Sequence, residues 1–211
     1  TLPLPVLGLT NTGNASSPAA TAAIAMLGAL SGCGSKNDSS TADNGNGLSN
    51  NKFVVGFDAA FPPYGYQDDN GEYVGFDLDL AAEVCSRNNW ELVKTPIDWD
   101  AKDMELNSGT ISCIWNGFTM NGREDDYTWS EPYVDNSQVF VVKEDSGIAS
   151  FDDLAGKTVA VQTDSSAQAA LDEDENADLK NSFKELLVVG DYNTAFMNLE
   201  AGAVDANAMD I

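Results

Sequence analysis

At 211 residues and 43% hydrophobic content, the chain is long enough for one globular domain or two small lobes with their own cores, which excludes disorder of the whole. Its 34 Asp and Glu against 10 Lys and Arg leave a formal charge of -24, scattered rather than gathered in a tail, so phosphate backbones and anionic lipid surfaces are repelled and nucleic-acid binding is excluded. The absence of histidine excludes Ser-His-Asp hydrolysis, Cys-His proteolysis and histidine-based zinc sites, while Cys33, Cys85 and Cys113 show no CxxC spacing; no metal or cofactor is expected.

The leading stretch, residues 1–33, contains PAATAAIAMLGAL, an apolar run too short to span a bilayer and followed at once by small residues. That is the layout of a signal peptide's apolar core and cleavage region. Leu30, Ser31, Gly32 and Cys33 resemble a lipobox, in which the Cys33 thiol is acylated and becomes the first residue of the mature protein. An ordinary apolar helix that happens to hold a cysteine is the alternative; the abrupt change of composition after Cys33 favours the lipobox. No Lys or Arg precedes Lys36, so the positive n-region is missing and the start is expected to be truncated or misassigned. Residues 34–51, GSKNDSSTADNGNGLSNN, hold too little apolar surface to offset their ordering entropy and read as a flexible tether.

A first α/β lobe is expected over 52–142. KFVVGFD reads as a buried strand, followed by the turn-rich AAFPPYGYQDDNG. In LDLAAEVCSRNNW, Leu78, Ala81, Ala82 and Cys85 fall at helical spacing, with Asp77 placed to cap. Cys85 on that apolar face reads as a small buried hydrophobe. ELVKTPI is a second strand, DWDAKDMELNSG a helix ending in glycine, and TISCIWNGFTM a third strand that contains Cys113. A Cys85–Cys113 bridge is left open by the spacing. SQVFVVKEDS reads as the strand leading out of this lobe, with the crossing near Val141 to Lys143.

A second α/β lobe is expected over 143–211: strand TVAV, polar turn QTDSS, an Ala-rich helix, then strand, helix and a last strand in FKELLVVGDYNTAFMNLEAGAVDANAMDI. Alternation of strands with helices implies largely parallel sheets.

Ligands of such sheets sit at the carboxyl ends of the strands. After the first strand come Asp58, Phe61 and Tyr64; after the third, Trp115, Asn116, Gly117, Phe118, Thr119 and then Arg123; in the second lobe, Gln162, Ser165, Ser166 and finally Asp210. This set suits a free amino acid. Arg123 offers a carboxylate a bidentate fork, backbone N–H groups at Ser165 and Ser166 hold the same group, and Asp210 accepts from an ammonium. Phe61, Trp99 and Trp115 are placed to sandwich a side chain whose polar tip meets Asp58. Each residue alone has a bland reading as surface charge, cap or core; only the joint placement points to a site.

The motifs GFDAAFPPYGYQDDNGEYVGFDLDLA, GFTMNGRED, WSEPYV, LAGKTVAVQTDSS and LEAGAVDANAMD, in this order, resemble the family 3 extracellular solute-binding proteins that capture polar amino acids. The resemblance covers Lys52 to Ile211. It implies an α/β, two-lobe periplasmic-binding-protein type II fold that hinges shut over an amino acid and delivers it to the permease subunits of an ABC importer. The family's carboxylate-binding arginine falls on Arg123, its ammonium-binding aspartate on Asp210, its first-loop aromatic and acid on Phe61 and Asp58, its second-lobe loop on Gln162 to Ser166, and its other aromatic on Trp99. The segment before Arg123 is one residue shorter than the family's threonine-rich loop, which leaves Phe118 and Thr119 as alternatives at the ligand. The family chain continues past Ile211, so the second lobe is expected to be incomplete. Cys33 would anchor the protein to the outer face of the cell membrane, with a free periplasmic form as the alternative. A ligand-sensing domain of a membrane receptor and a dehydratase on the same fold are the competing readings; the dehydratase would need Asp58 or Asp210 as its acid or base, and no catalytic residue is assigned.

Overall fold

The computed structural model describes residues 6–9, 20–26 and 51–211. In chain order these form β1 (Val6–Leu9), β2 (Ala20–Met26), β3 (Lys52–Phe57), β4 (Ala60–Phe61), β5 (Gly65–Gln67), β6 (Tyr73–Val74), α1 (Phe76–Asn88), β7 (Glu91–Pro96), α2 (Lys102–Ser108), β8 (Cys113–Thr119) and β9 (Thr128–Trp129). They continue as β10 (Val134–Asn136), β11 (Gln138–Val142), β12 (Thr158–Gln162), α3 (Ser166–Asp172), α4 (Ala177–Ser182), β13 (Glu185–Val189), α5 (Tyr192–Ala201) and β14 (Ala206–Asp210). The chain divides into two compact units: a first with the described residues of Ala22–Ile97 and Ala101–Tyr133, and a second with Asp98–Asp100, Val134–Ile211 and β1.

In the first unit, β3 is central. It runs parallel to β7 from Lys52↔Glu91 to Phe57↔Pro96 and parallel to β8 at Val55↔Cys113 and Gly56↔Ile114. Its aromatic and β-branched residues suit a strand covered on both faces, as parallel sheets are. β2 lies antiparallel to β8 on the far side, with a register shift between Ala23 and Ala25. α1 covers one face by setting Leu78, Ala81 and Cys85, one stripe of the helix, against Phe53, Val55, Phe57, Cys113 and Trp115. The helix begins after Gly75 at φ 138, where a Cβ would stand 2.3 Å from the Tyr64 carbonyl oxygen, so only glycine fits the entry. It ends at Asn89, in the left-handed conformation, and α2 ends the same way at Gly109.

In the second unit the strand order is β1-β11-β14-β12-β13. β12 is parallel to both β13 and β14, whereas β11 is antiparallel to β14 from Gln138↔Asp210 to Val142↔Ala206. One face carries the core of Phe140, Val142, Val159, Val161, Ala206 and Ala208 beneath Ala167 and Leu171 of α3. α5 buries Tyr192, Ala195 and Leu199 and is capped by Asp191, which accepts from the Thr194 N–H at 2.8 Å.

Three expectations change. The strand at Gln138–Val142 does not close the first lobe: its pairing with β14 places it in the second unit, so the division falls at Tyr133/Val134 rather than at 142/143. Asp77 is not the N-cap; α1 starts at Phe76 after Gly75, two residues earlier than expected, and the Asp77 side chain is buried. Cys85 and Cys113, left open as a bridge, are free buried thiols, both pushed up in pKa by burial. The expected lipobox with Cys33 and the tether to Asn50 lie outside the described residues, and within residues 1–33 the described segments, β1 and β2, are strands.

Candidate functional site

The first unit gathers its candidate residues at the carboxyl ends of β3 and β8. Asp58, directly after β3, is buried, and its Oδ1 accepts the Ala60 N–H at 2.7 Å, which turns the chain toward Phe61. The Asp58 N–H donates to Asn116 Oδ1 at 3.1 Å, so Asn116 ties the two strand ends together. Phe61 stacks on Tyr64 with centroids 5.3 Å apart. The Tyr64 ring in turn lies over Gly117, where a Cβ would come within 3.2 Å of it.

Arg123 belongs to the same unit. It is half-buried, its guanidinium lies over the Phe118 ring at 5.2 Å, and Nη1 donates to the Thr119 carbonyl at 3.4 Å. Its backbone is fixed as well: its N–H donates to Met120 O at 2.9 Å, and its carbonyl accepts the Trp129 indole N–H at 3.1 Å. Phe118 is held from the other side by Tyr127 and Trp129, with centroids 5.1 Å from each. The fully buried Lys102, which the sequence did not suggest, has its ammonium 5.9 Å from the same ring.

Trp115 is a correction. It was expected to wall the ligand, but within β8 it points to the α1 face and belongs to the hydrophobic core with Leu78 and Cys85. The alternation of side chains along a strand sends Trp115 and Asn116 to opposite faces.

In the second unit, Gln162 and Ser165 are buried and adjacent, the Ser165 N–H donating to Gln162 O at 3.4 Å. Gln162 Nε2 donates to Gly190 O at 3.2 Å, and Ser165 Oγ accepts the Gln168 N–H as the N-cap of α3, whose first residue is Ser166. At the end of β14, Asp210 Oδ1 accepts Gln138 Nε2 at 2.5 Å and the Asn136 amide nitrogen. These two amides were not foreseen; they orient the carboxylate without neutralising it. Trp99, buried in the 3-10 turn Trp99–Ala101, belongs to this unit.

Sequence reasoning also missed Asp77 and Tyr133. Asp77 is fully buried in the first turn of α1, and its Oδ1 accepts the Tyr133 hydroxyl at 2.9 Å. Tyr133 Oη accepts the Gly117 N–H at 3.2 Å. Burial pushes the Asp77 carboxyl up to about 7, with the Tyr133 hydroxyl and the Gly117 N–H pulling the other way. Burial and then the nearby Asp77 raise the Tyr133 phenol.

Elsewhere in the second unit, a cavity of 570 Å³ between Phe151, Asp152, Ala155, Asn176, Asp178, Leu179 and Ser182 contains none of the expected residues. Among the described residues no group of three or more His, Cys, Asp or Glu is disposed to hold a metal ion, and no helix is long and apolar enough to cross a membrane.

Comparison with known proteins gives this arrangement its context. The arginine-binding extracellular protein ArtP of Bacillus subtilis (strain 168) is 31% identical over 135 residues, 64% of this chain and 50% of its own. The L-cystine-binding protein TcyJ of Escherichia coli (strain K12) is 28% identical over 161 residues, 74% of this chain and 58% of its own. The chain thus spans about half to three fifths of the length of these relatives. Among solved structures, an ABC uptake transporter substrate binding protein from Streptococcus pneumoniae with bound histidine superposes with a TM-score of 0.72 at 37% identity, covering 76% of this chain and 66% of that one. Arginine-bound ArgBP from T. maritima, a Gly52Ala mutant in its own numbering, gives a TM-score of 0.68 at 32% identity over 76% and 74% of the two chains. The α/β architecture is therefore that of periplasmic amino-acid-binding proteins. Residues 53–196 match one family throughout: the chain belongs to the bacterial extracellular solute-binding proteins, family 3.

Proposed function

We propose that this chain captures a polar amino acid outside the cytoplasm and delivers it to the permease subunits of an ABC importer, without catalysing a reaction. The observation that carries the reading is the pair of prepared charges. Arg123 is half-buried over Phe118 with its backbone fixed, and Asp210 has its carboxylate oriented by Asn136 and Gln138. A fixed guanidinium suits an α-carboxylate, and a fixed carboxylate suits an α-ammonium. In this reading the further ligand-binding residues are Asp58, Phe61, Asn116, Gly117 and Thr119 of the first unit and Trp99, Gln162, Ser165 and Ser166 of the second. Relatives named for arginine, cystine and bound histidine support a polar ligand.

Calorimetric titration with L-arginine, L-histidine and L-cystine tests it. At least one should bind, and Arg123→Ala or Asp210→Ala should weaken that binding by a hundredfold or more, about 3 kcal/mol for a lost charge-assisted contact. Unchanged affinity in Arg123→Ala, or turnover of any of these amino acids followed by mass spectrometry, rejects the reading.

Acylation of Cys33 would hold the protein at the outer face of the membrane, the first residues after it serving as a tether. Expression of Cys33→Ala in a bacterial host should move the protein from the membrane to the soluble fraction and abolish its labelling by a fatty acid.

A further inference from the structure

Asp77 stands out as a buried carboxylate with no place in the proposed ligand set. It is fully enclosed, its Oδ2 has no hydrogen-bond partner among the described residues, and its surroundings are the apolar core of α1, β3 and β8. Enclosing a carboxylate with one side-chain partner costs stability, and a neutral or apolar residue of similar size would avoid that cost. What Asp77 touches explains its presence. Its Oδ1 fixes the Tyr133 hydroxyl at 2.9 Å, and that hydroxyl receives the Gly117 N–H at 3.2 Å.

Gly117 sits at an irregularity of β8, between Ile114 and Phe118, where its register against β2 shifts. The pairing of β3 with β8 ends at Gly56↔Ile114, and Gly117 takes φ 56, in the left-handed region. The Tyr64 ring presses on its Cα side, and Tyr64 stacks on Phe61. The relay from Asp77 through Tyr133 therefore sets a backbone group that lies between the Tyr64 ring, stacked on Phe61, and the segment Phe118–Thr119, against which Arg123 rests.

We propose that Asp77 and Tyr133 are positioning residues for the end of β8, holding the Gly117 amide so that the Thr119–Arg123 side of the site and the Phe61 side keep a fixed spacing. The proposal rests on the amino-acid-binding reading for its consequence, but not for its geometry. Neither residue touches the ligand; both act through Gly117.

Three substitutions separate this from ordinary core packing. Tyr133→Phe deletes the hydroxyl and keeps the ring, Asp77→Ala deletes the acceptor, and Asp77→Asn restores an acceptor without the charge. In each purified protein, amide hydrogen exchange at Gly117 is measured alongside titration with L-arginine and L-histidine. Tyr133→Phe and Asp77→Ala should speed Gly117 exchange by about tenfold or more and weaken binding by about tenfold, while Val55 in the middle of β3 exchanges as before. Asp77→Asn should return both readouts to the wild-type range. Wild-type exchange at Gly117 in Tyr133→Phe overturns the proposal, whatever the affinity does. Faster exchange with unchanged affinity overturns its link to the site. Should Asp77→Ala fail to fold, Tyr133→Phe and Asp77→Asn still decide. If the unsubstituted protein binds neither probe nor L-cystine, the amino-acid reading loses its support and Gly117 exchange alone judges the positioning role.

Discussion

The protonation of Asp77 can be read from outside the molecule. Its folded value of about 7 stands well above the ordinary aspartate value of 3.8, chiefly because burial penalises the charge. The folded protein therefore holds this proton more tightly than the unfolded chain does. Stability linked to it is fully present below about pH 4 and is lost as the pH rises through about 7. Asp77→Asn, neutral at every pH, should then gain on the wild type by roughly 3 kcal/mol from pH 5 to pH 8, out of roughly 4 kcal/mol from below pH 4. Urea midpoints of the two proteins compared across that range check it; parallel curves would mean that the carboxyl titrates normally. The sequence offered no warning of this residue. An acid in the first turn of a helix reads as a cap, and the partner that pulls Asp77 inward, Tyr133, lies 56 residues away. Asp210 was legible as an acid at a strand end, but its amide partners Asn136 and Gln138 were not, since they come from a strand paired with it across 72 or more residues.

At the scale of elements, local rules did well where contacts are local. The apolar stripe of α1 at Leu78, Ala81 and Cys85, though without the expected Ala82, which is exposed, the glycine that stops α2, the Ser165 start of α3 and the strands over 52–57, 91–96 and 158–162 all stand in the structure. Leu78 is the best single probe of that stripe, being fully buried between β3 and β8. Leu78→Ala should cost about 2–5 kcal/mol in chemical denaturation, because the enclosed cavity cannot collapse against a paired sheet. A cost below about 1 kcal/mol would show that α1 is not anchored there. The same rules failed for Trp115. An aromatic at a strand end suits a ligand wall and a core equally, and which face it takes is set by the register of β8 against its neighbours, not by its own type.

Across the whole molecule, the formal charge of -24 is a uniform strain on the folded state, since like charges are brought closer by folding. Raising sodium chloride from about 20 mM to 500 mM shortens the screening length from roughly 20 Å to under 5 Å and should raise the thermal midpoint. A midpoint that falls or stays level would mean that attractive pairs outweigh this repulsion; the described surface pairs, such as Lys52 with Glu91 at 3.2 Å, are exposed and weak. Two units were legible from the repeated strand–helix alternation, yet their border was not. β11 follows the first unit in sequence and pairs in the second, and only the strand order reveals it.

That order has a consequence for synthesis. β14 is made after β11, β12 and β13, yet it lies between β11 and β12. Until residues 206–210 leave the ribosome, β11 and the β12–β13 pair have no strand to join them. Residues 206–210 also bring Asp210 to Asn136 and Gln138. In a nascent chain the Asp210 carboxylate is therefore oriented only once β14 has been inserted between β11 and β12.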